Sequence, residues 1–195
     1  MKKIIFGIAT IIITATACNS NTSSEKNKIG DTTLANNSVK QDGKKDTVII
    51  PDSPLKEIVN KYLQMKNAFA IDNAKDAAIT GKDLEALVDK MDTTSLTAEK
   101  KKVWNDLSDD VKEHAEHIGK NGDNIKHQRE HFDMLSTDMY DMVKALGAGE
   151  VLYKEFCPMA NEGLGAYWLS ETKKIQNPYL GKKMPTCGVV KEEIK

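Results

Sequence analysis

The chain has 195 residues, which is enough for one folded domain with a single hydrophobic core. It carries 28 Lys and Arg against 29 Asp and Glu, so its formal net charge at pH 7 is −1. A chain with this near-neutral balance has no electrostatic basis for binding nucleic acid.

Residues 1–17 have the pattern of a secretory signal peptide. Lys2 and Lys3 form a basic start, about ten apolar residues follow from Ile4, and small residues precede Cys18. The small residues directly before Cys18 resemble a bacterial lipobox, which implies cleavage before Cys18 and lipidation of its thiol. The sequence therefore predicts an exported lipoprotein that is held on a membrane by acyl chains and faces the periplasm or the cell surface. The alternative is an ordinary signal peptide with an incidental Cys18.

Residues 18–53 predict a flexible tether, and residues 54–190 predict the folded part. The tether contains no aromatic residue and is rich in Ser, Thr, Asn, Asp and Lys, so it cannot bury enough apolar area to offset its ordering entropy.

Four stretches of the folded part show apolar residues at helical spacing. Gly81, inside the second stretch, is expected to mark a break or a kink. The residues predicted to cap the four helices are Ser53, Asp72 or Asn73, Thr97 and Asp123. Four helices with short links predict an all-α protein, an antiparallel four-helix bundle with a C-terminal loop segment packed on it.

The predicted C-terminal loop segment contains two thiols and two thioethers, on Cys157, Met159, Met184 and Cys187. Soft sulfur donors of this kind suit Cu(I) and other soft metals. The alternative is a structural disulfide between Cys157 and Cys187, with the two methionines filling gaps in the packing. The residues alone leave both interpretations open.

All four histidines fall within 18 residues of one another. His114 and His117 have i,i+3 spacing near the end of the third helix, and His127 and His131 have i,i+4 spacing near the start of the fourth. Because residues three or four apart share a helical face, a tight turn would bring both pairs to the same end of the bundle. Such a cluster suits Cu, Zn or Ni. The alternative is solvated or hydrogen-bonded core histidines, and the nearby Asp133, Asp138 and Asp141 are expected to form a solvated face.

The chain also resembles an uncharacterised bacterial domain family found in Bacteroidetes-type exported lipoproteins and appended to periplasmic adaptor subunits of heavy-metal efflux pumps. The resemblance is carried by His127-Gln128-Arg129-Glu130-His131-Phe132 with Leu135-Ser136, Cys157-Pro158-Met159, Gly165-Ala166-Tyr167-Trp168-Leu169-Ser170, Ile175-Gln176-Asn177-Pro178-Tyr179, Gly181-Lys182-Lys183-Met184 and Cys187-Gly188. It implies a role in copper or related heavy-metal handling outside the cytoplasm.

Together these patterns predict a metal-binding accessory lipoprotein. Cu(I) is expected as the bound ion, with zinc or another soft metal as the alternative, and heavy-metal efflux components are the expected partners besides the membrane. The predicted ligands are Cys157, Met159, Met184 and Cys187, with His117, His127 and His131. A second hypothesis is an envelope protein–protein interaction module stapled by a Cys157–Cys187 disulfide. Catalysis is not expected, because the sequence lacks a nucleophile-elbow serine and a Cys-x-x-Cys pair.

Overall fold

The structure is a computed structural model that describes residues 53–195, so the predictions of a signal peptide, a lipidated Cys18 and a tether lie outside the described residues. Four helices come first and three strands follow: α1 (Lys56–Ala70), α2 (Ala74–Val88), α3 (Ala98–Lys120), α4 (Ile125–Leu146), β1 (Leu152–Cys157), β2 (Ala166–Ser170) and β3 (Val189–Ile194). The four-helix arrangement is confirmed, but the all-α prediction is wrong because a sheet occupies the predicted loop segment. In the described part of the chain, no helix combines the length and apolar character needed to cross a membrane.

The helices begin at polar side chains that accept a backbone hydrogen bond. Asn73 caps α2 and Thr97 caps α3, as their positions in the sequence predict. Helix α4 is capped by Asn124, whose Oδ1 accepts from the His127 amide at 3.2 Å, and not by the predicted Asp123. This correction of one residue fixes the start of the helix that carries two of the four histidines.

Gly81 lies within an uninterrupted α2, so the expected break at this residue is wrong. A Cβ atom at this position would lie 2.8 Å from the Ala115 carbonyl oxygen and 2.9 Å from the Gly119 amide nitrogen. Gly81 is therefore where α2 and α3 approach most closely in backbone terms, and this packing offsets the roughly 1 kcal/mol that glycine costs in a helix.

The sheet has the strand order β2-β1-β3, and both pairings are antiparallel. Phe156 on β1 lies between Tyr167 on β2 and Val189 on β3, and a register shift interrupts the β1–β3 pairing at Lys154 and Glu155. The three strands have only five or six residues each, and glycines and prolines flank them. Their aromatic and β-branched content suits strands, but the expected alternation of buried and exposed residues is broken by the irregularity in β1.

The inner face of the sheet belongs to the same hydrophobic core as the helices. Trp168 and Leu169 on β2 are fully buried, and β2 contacts both α1 and α4. The Leu169 amide donates to the Tyr62 hydroxyl of α1 at 3.0 Å, and the Tyr62 ring stacks on Phe132 of α4 with centroids 5.2 Å apart. The sheet thus fills the space between the first and last helices.

Candidate metal centre

The end of α3 and the start of α4 bring all four histidines to one turn, as their spacing predicts. His114 and His117 lie in the last turns of α3, and His127 and His131 lie in the first turns of α4. The Asn121 side-chain amide donates to the His117 carbonyl oxygen at 2.8 Å, which satisfies a free acceptor at the end of α3. Polar side chains on both sides of the turn therefore hold the two helix ends that carry the imidazoles.

Three of the four imidazoles form a group that fits a metal ion. One ring nitrogen from each of His117, His127 and His131 lies within 4.8 Å of the other two. The His117 and His131 rings are stacked with centroids 4.1 Å apart, and His127 meets His131 edge to face at 4.7 Å. A tetrahedral ion with bonds of about 2.0–2.1 Å needs its nitrogens about 3.3 Å apart, so modest side-chain rotations complete the site.

Other side chains contact the ring nitrogens that face away from this group. His127 Nδ1 lies 3.3 Å from Glu130 Oε2, and His131 Nδ1 lies 3.3 Å from His114 Nδ1. The other nitrogen of His114, Nε2, lies 3.6 Å from Asp138 Oδ2. The expectation that Asp138 belongs to a solvated face is wrong, because its side chain is 19 % exposed and faces His114.

The surroundings favour the neutral form of the central imidazole. Burial, followed by the positive charges of His117, His127 and His114, lowers the pKa of His131 to about 4. Burial likewise lowers the pKa of His114. A metal ion must find its imidazole ligands unprotonated, and His131 meets this requirement at neutral pH without releasing a proton.

The acidic partner of His114 is shifted in the opposite direction. Burial, and then the negative charges of Asp110 and Asp141, raises the pKa of Asp138 to about 6. Asp138 is still mostly ionised at pH 7 and above, so a carboxylate faces the histidine cluster from its protected side.

The two cysteines meet at a separate place in the fold. Cys157 is the buried last residue of β1, and its Sγ lies 2.8 Å from Sγ of the half-buried Cys187, with both thiols unoxidised in the structure. Asn177 fixes the segment between them, since its side-chain amide donates to the Cys187 carbonyl oxygen at 2.7 Å and its own amide donates to the Pro185 carbonyl oxygen at 2.9 Å. The predicted pair of thiols is thus assembled by the strand and loop that the sequence analysis treated as one loop.

The two predicted methionine ligands lie in different surroundings. Met184 is half-buried, and its carbonyl oxygen accepts from the Cys187 amide at 3.2 Å. Met159 is 54 % exposed and lines a cavity of about 680 Å³ together with Met134 of α4. Among the described residues, the group of close ligand atoms that could hold a metal contains three histidines and no cysteine. A joint sulfur and imidazole site therefore stays a prediction.

Sequence reasoning missed several polar residues around this centre. Arg129 of the His127–His131 segment donates to the Pro178 and Phe69 carbonyl oxygens at 2.7 and 2.8 Å, which ties α4 to α1 and to the C-terminal segment. The spacing of His131 and Asp138 is i,i+7, which places both on one face of a helix and is the signal that pointed to the acid. No sequence pattern indicated that His114, on a different helix, would lie between them.

A second buried polar group lies between α1 and the sheet. Lys66 is fully buried and its Nζ lies 2.9 Å from Glu171 Oε2. Glu155 on β1 is also fully buried, and within residues 53–195 neither of its carboxyl oxygens has a hydrogen-bond partner. Burial raises the pKa of Glu155 to about 7, and the positive charge of Lys66 only partly opposes this shift. This group is compact and closed, and it offers no cluster of metal ligands.

The described part of the chain is thus a four-helix domain completed by a three-stranded sheet, with an imidazole cluster at one helix turn. Residues 58–150 match the model of a family described as Protein of unknown function (DUF3347). No curated protein and no solved structure matches the chain. The matched range contains all four histidines and ends before β1, so the sulfur-containing sheet lies outside it.

Proposed function

We propose that this protein is an exported, membrane-anchored lipoprotein that binds copper or a related heavy metal and assists metal efflux or homeostasis. The observation that carries the proposal is the convergence of His117, His127 and His131, whose ligand nitrogens lie within 4.8 Å of one another. Imidazole is the usual protein ligand for zinc, copper and nickel.

The surroundings of the cluster support binding followed by release. The side chains of His117 and His127 are 42 % and 35 % exposed, so an ion and its carrier have access from solvent. His131 is neutral at physiological pH because of its depressed pKa. Three ligands leave a fourth coordination position for water or for a donor group of a partner, which suits an accessory protein that exchanges its metal.

The cellular context of the proposal rests on the sequence. The signal-peptide pattern and the small residues before Cys18 support export and lipid anchoring. The resemblance to a domain appended to heavy-metal efflux adaptors supports a role beside such a pump, and the matched family is compatible with an uncharacterised domain of this type.

A competitive titration tests the proposal. The purified protein is titrated with Zn(II), with Cu(II), and with Cu(I) under argon, each against a chromophoric chelator, and the thiols are counted in the same sample. We expect one ion per chain, and we expect its affinity to fall at least 100-fold when His117, His127 and His131 are all replaced by alanine. The control is Lys126→Ala, an exposed residue on the first turn of α4. Unchanged affinity in the triple variant contradicts the site.

The second candidate function is an interaction module stapled through Cys157 and Cys187. The observation in its favour is the 2.8 Å separation of the two Sγ atoms, together with a row of apolar side chains across the sheet in which Tyr167 and Val189 are 43 % and 49 % exposed. Thiol counting in protein isolated from the cell envelope separates the candidates. Fully oxidised cysteines favour the staple, and reduced cysteines with bound copper favour the sulfur ligands.

A further inference from the structure

We propose that Asp138 and His114 form an outer shell of the histidine site, which holds His131 so that it binds metal through Nε2 and makes the site selective for a borderline divalent ion. This inference rests on the proposed metal binding at His117, His127 and His131. It adds two positioning residues and the class of ion.

The argument begins with the two nitrogens of His131. Nδ1 lies 3.3 Å from His114 Nδ1, so Nε2 is the atom left for an ion. When an ion occupies Nε2, the remaining ring proton is on Nδ1. His131 is then the hydrogen-bond donor and His114 the acceptor, because two nitrogens that share one hydrogen bond cannot both carry a proton.

The same reasoning continues through His114. If its Nδ1 accepts a hydrogen bond, its own proton is on Nε2, and that atom lies 3.6 Å from Asp138 Oδ2. A carboxylate is an acceptor, so every group in the sequence His131, His114 and Asp138 has one consistent proton position. The His114 and Asp138 side chains are 15 % and 19 % exposed, which limits competition from water. A small movement of either side chain brings the last contact within hydrogen-bond distance.

His127 has a simpler outer partner of the same kind. Its Nδ1 lies 3.3 Å from Glu130 Oε2, which leaves Nε2 for the ion. Metal-binding histidines commonly give their second nitrogen to a carboxylate or another acceptor, which fixes the tautomer and raises the basicity of the ligand. The side chain of Glu130 is 54 % exposed, so its contribution is expected to be smaller than that of Asp138.

His114 is better placed as a positioning residue than as a fourth ligand. Its Nδ1 is directed to His131 and its Nε2 to Asp138, and it is not part of the group whose ligand atoms lie within 4.8 Å. To coordinate the ion, it would have to leave at least one of these two partners. The tautomer of His114 in the metal-loaded protein separates the two roles.

The donor set also indicates the class of ion. Three neutral imidazoles backed by carboxylates suit Zn(II) and Cu(II), whereas soft Cu(I) favours thiolates and thioethers. A divalent ion also polarises the ring proton of His131 more strongly than a monovalent ion does. The hydrogen bonds to His114 and Asp138 are therefore expected to strengthen the binding of a divalent ion most.

The test compares Asp138→Asn and His114→Gln with Asp141→Asn in the full protein. Asp141→Asn removes the same charge from α4, one turn further along, at an exposed residue. We expect Asp138→Asn and His114→Gln to weaken Zn(II) and Cu(II) binding about 10–100-fold, as outer-shell changes do. We expect Asp141→Asn to change it less than about threefold, and Cu(I) to be the weakest of the three ions in wild-type protein.

Spectroscopy distinguishes positioning from a loss of folding. In the Zn(II)-loaded protein, long-range ¹H–¹⁵N correlations should show His131 protonated on Nδ1 and His114 protonated on Nε2 without metal. Urea unfolding of the metal-free variants reports any separate loss of stability, and a protein that folds as the wild type but binds weakly supports the proposal.

Each contrary outcome has a distinct meaning. Equal affinity of Asp138→Asn and Asp141→Asn, or a metal-bound His114, overturns the outer shell while leaving the metal site. Tighter binding of Cu(I) than of Zn(II) and Cu(II) overturns the selectivity. A wild-type protein that takes no ion from any chelator overturns both this inference and the proposed function.

Discussion

The turn between α3 and α4 and the sheet that follows α4 both bring together side chains that bind metals, but they do so in different surroundings. At the turn, three imidazoles are partly exposed and two of them contact outer polar partners. In the sheet, the Cys157 thiol is fully buried and its neighbour Cys187 is half-buried. Exposed nitrogen donors suit an ion that must enter and leave, whereas a buried pair of sulfurs suits a lasting link within the fold. This difference is the reason for assigning metal exchange to the histidines.

The two regions are joined by one core, and Trp168→Ala should break that link with the largest effect on stability. Trp168 is fully buried on β2, so we expect the free energy of unfolding to fall by about 3–5 kcal/mol. Urea unfolding followed through fluorescence of Trp104 on α3 measures the effect on the helices. Tyr167→Ala, an outward-facing change on the same strand, is the control. If the Trp104 transition stayed in place, the sheet would be a separate unit.

Metal-induced stabilisation sharpens the comparison of nitrogen and sulfur donors. An ion present at about 100 times its dissociation constant should add about 2.7 kcal/mol to the free energy of unfolding. We expect His127→Ala with His131→Ala to remove this increment and Cys157→Ser with Cys187→Ser to retain it. Thermal or urea unfolding with and without Zn(II) gives the increment for each variant. The reverse pattern would move the site to the sulfur pair.

The buried carboxyl group of the sheet should give a pH dependence that the histidine turn does not. The folded-state pKa of Glu155 is about 7, above the model value of 4.5, so the folded protein holds this proton more tightly than the unfolded chain does. Its contribution to stability is therefore fully present below about pH 4.5, decreases as pH rises, and is lost above about pH 7. Lys66 of α1 opposes the shift, and Glu171 adds to it.

Replacing Glu155 by glutamine isolates this effect. We expect the stability of Glu155→Gln relative to wild type to rise by about 1–3 kcal/mol between pH 4 and pH 8, because only the wild type must bury an ionised group. Urea unfolding at a series of pH values gives the difference. Histidine titration affects both proteins and cancels. A difference that does not vary with pH would show that Glu155 finds a partner or solvent when it ionises.

The helical region was largely predictable from the sequence because its signals are local. Apolar spacing gave the four helices, and the i,i+3 and i,i+4 spacings indicated that the histidines share faces. The contact of His114 with His131 and Asp138 was not predictable, because it depends on how α3 and α4 are rotated about their axes. That rotation is set by distant packing, including the close approach of α2 and α3 at Gly81.

The sheet was missed because its strands are short and their pattern is irregular. β2 alternates poorly, with Trp168, Leu169 and Ser170 all buried in succession. Glu155 and Cys157 point to the core at positions where sequence reasoning expects aliphatic residues. The glycines and prolines between the strands were interpreted as a continuous loop, although they mark the turns that join three strands.

The smallest effect is expected at the cap of α4, where two neighbouring residues compete in the sequence for the same role. Asn124 Oδ1 accepts from the His127 amide, so we expect Asn124→Ala to lower the free energy of unfolding by about 1 kcal/mol. Asp123→Ala is the matched control and should have little effect. Since His127 lies in the first turn of α4, fraying of that turn should also weaken metal binding, by less than the loss of His127 itself. Equal effects of the two substitutions would mean that the charge of Asp123, acting on the helix terminus, contributes as much as the hydrogen bond of Asn124.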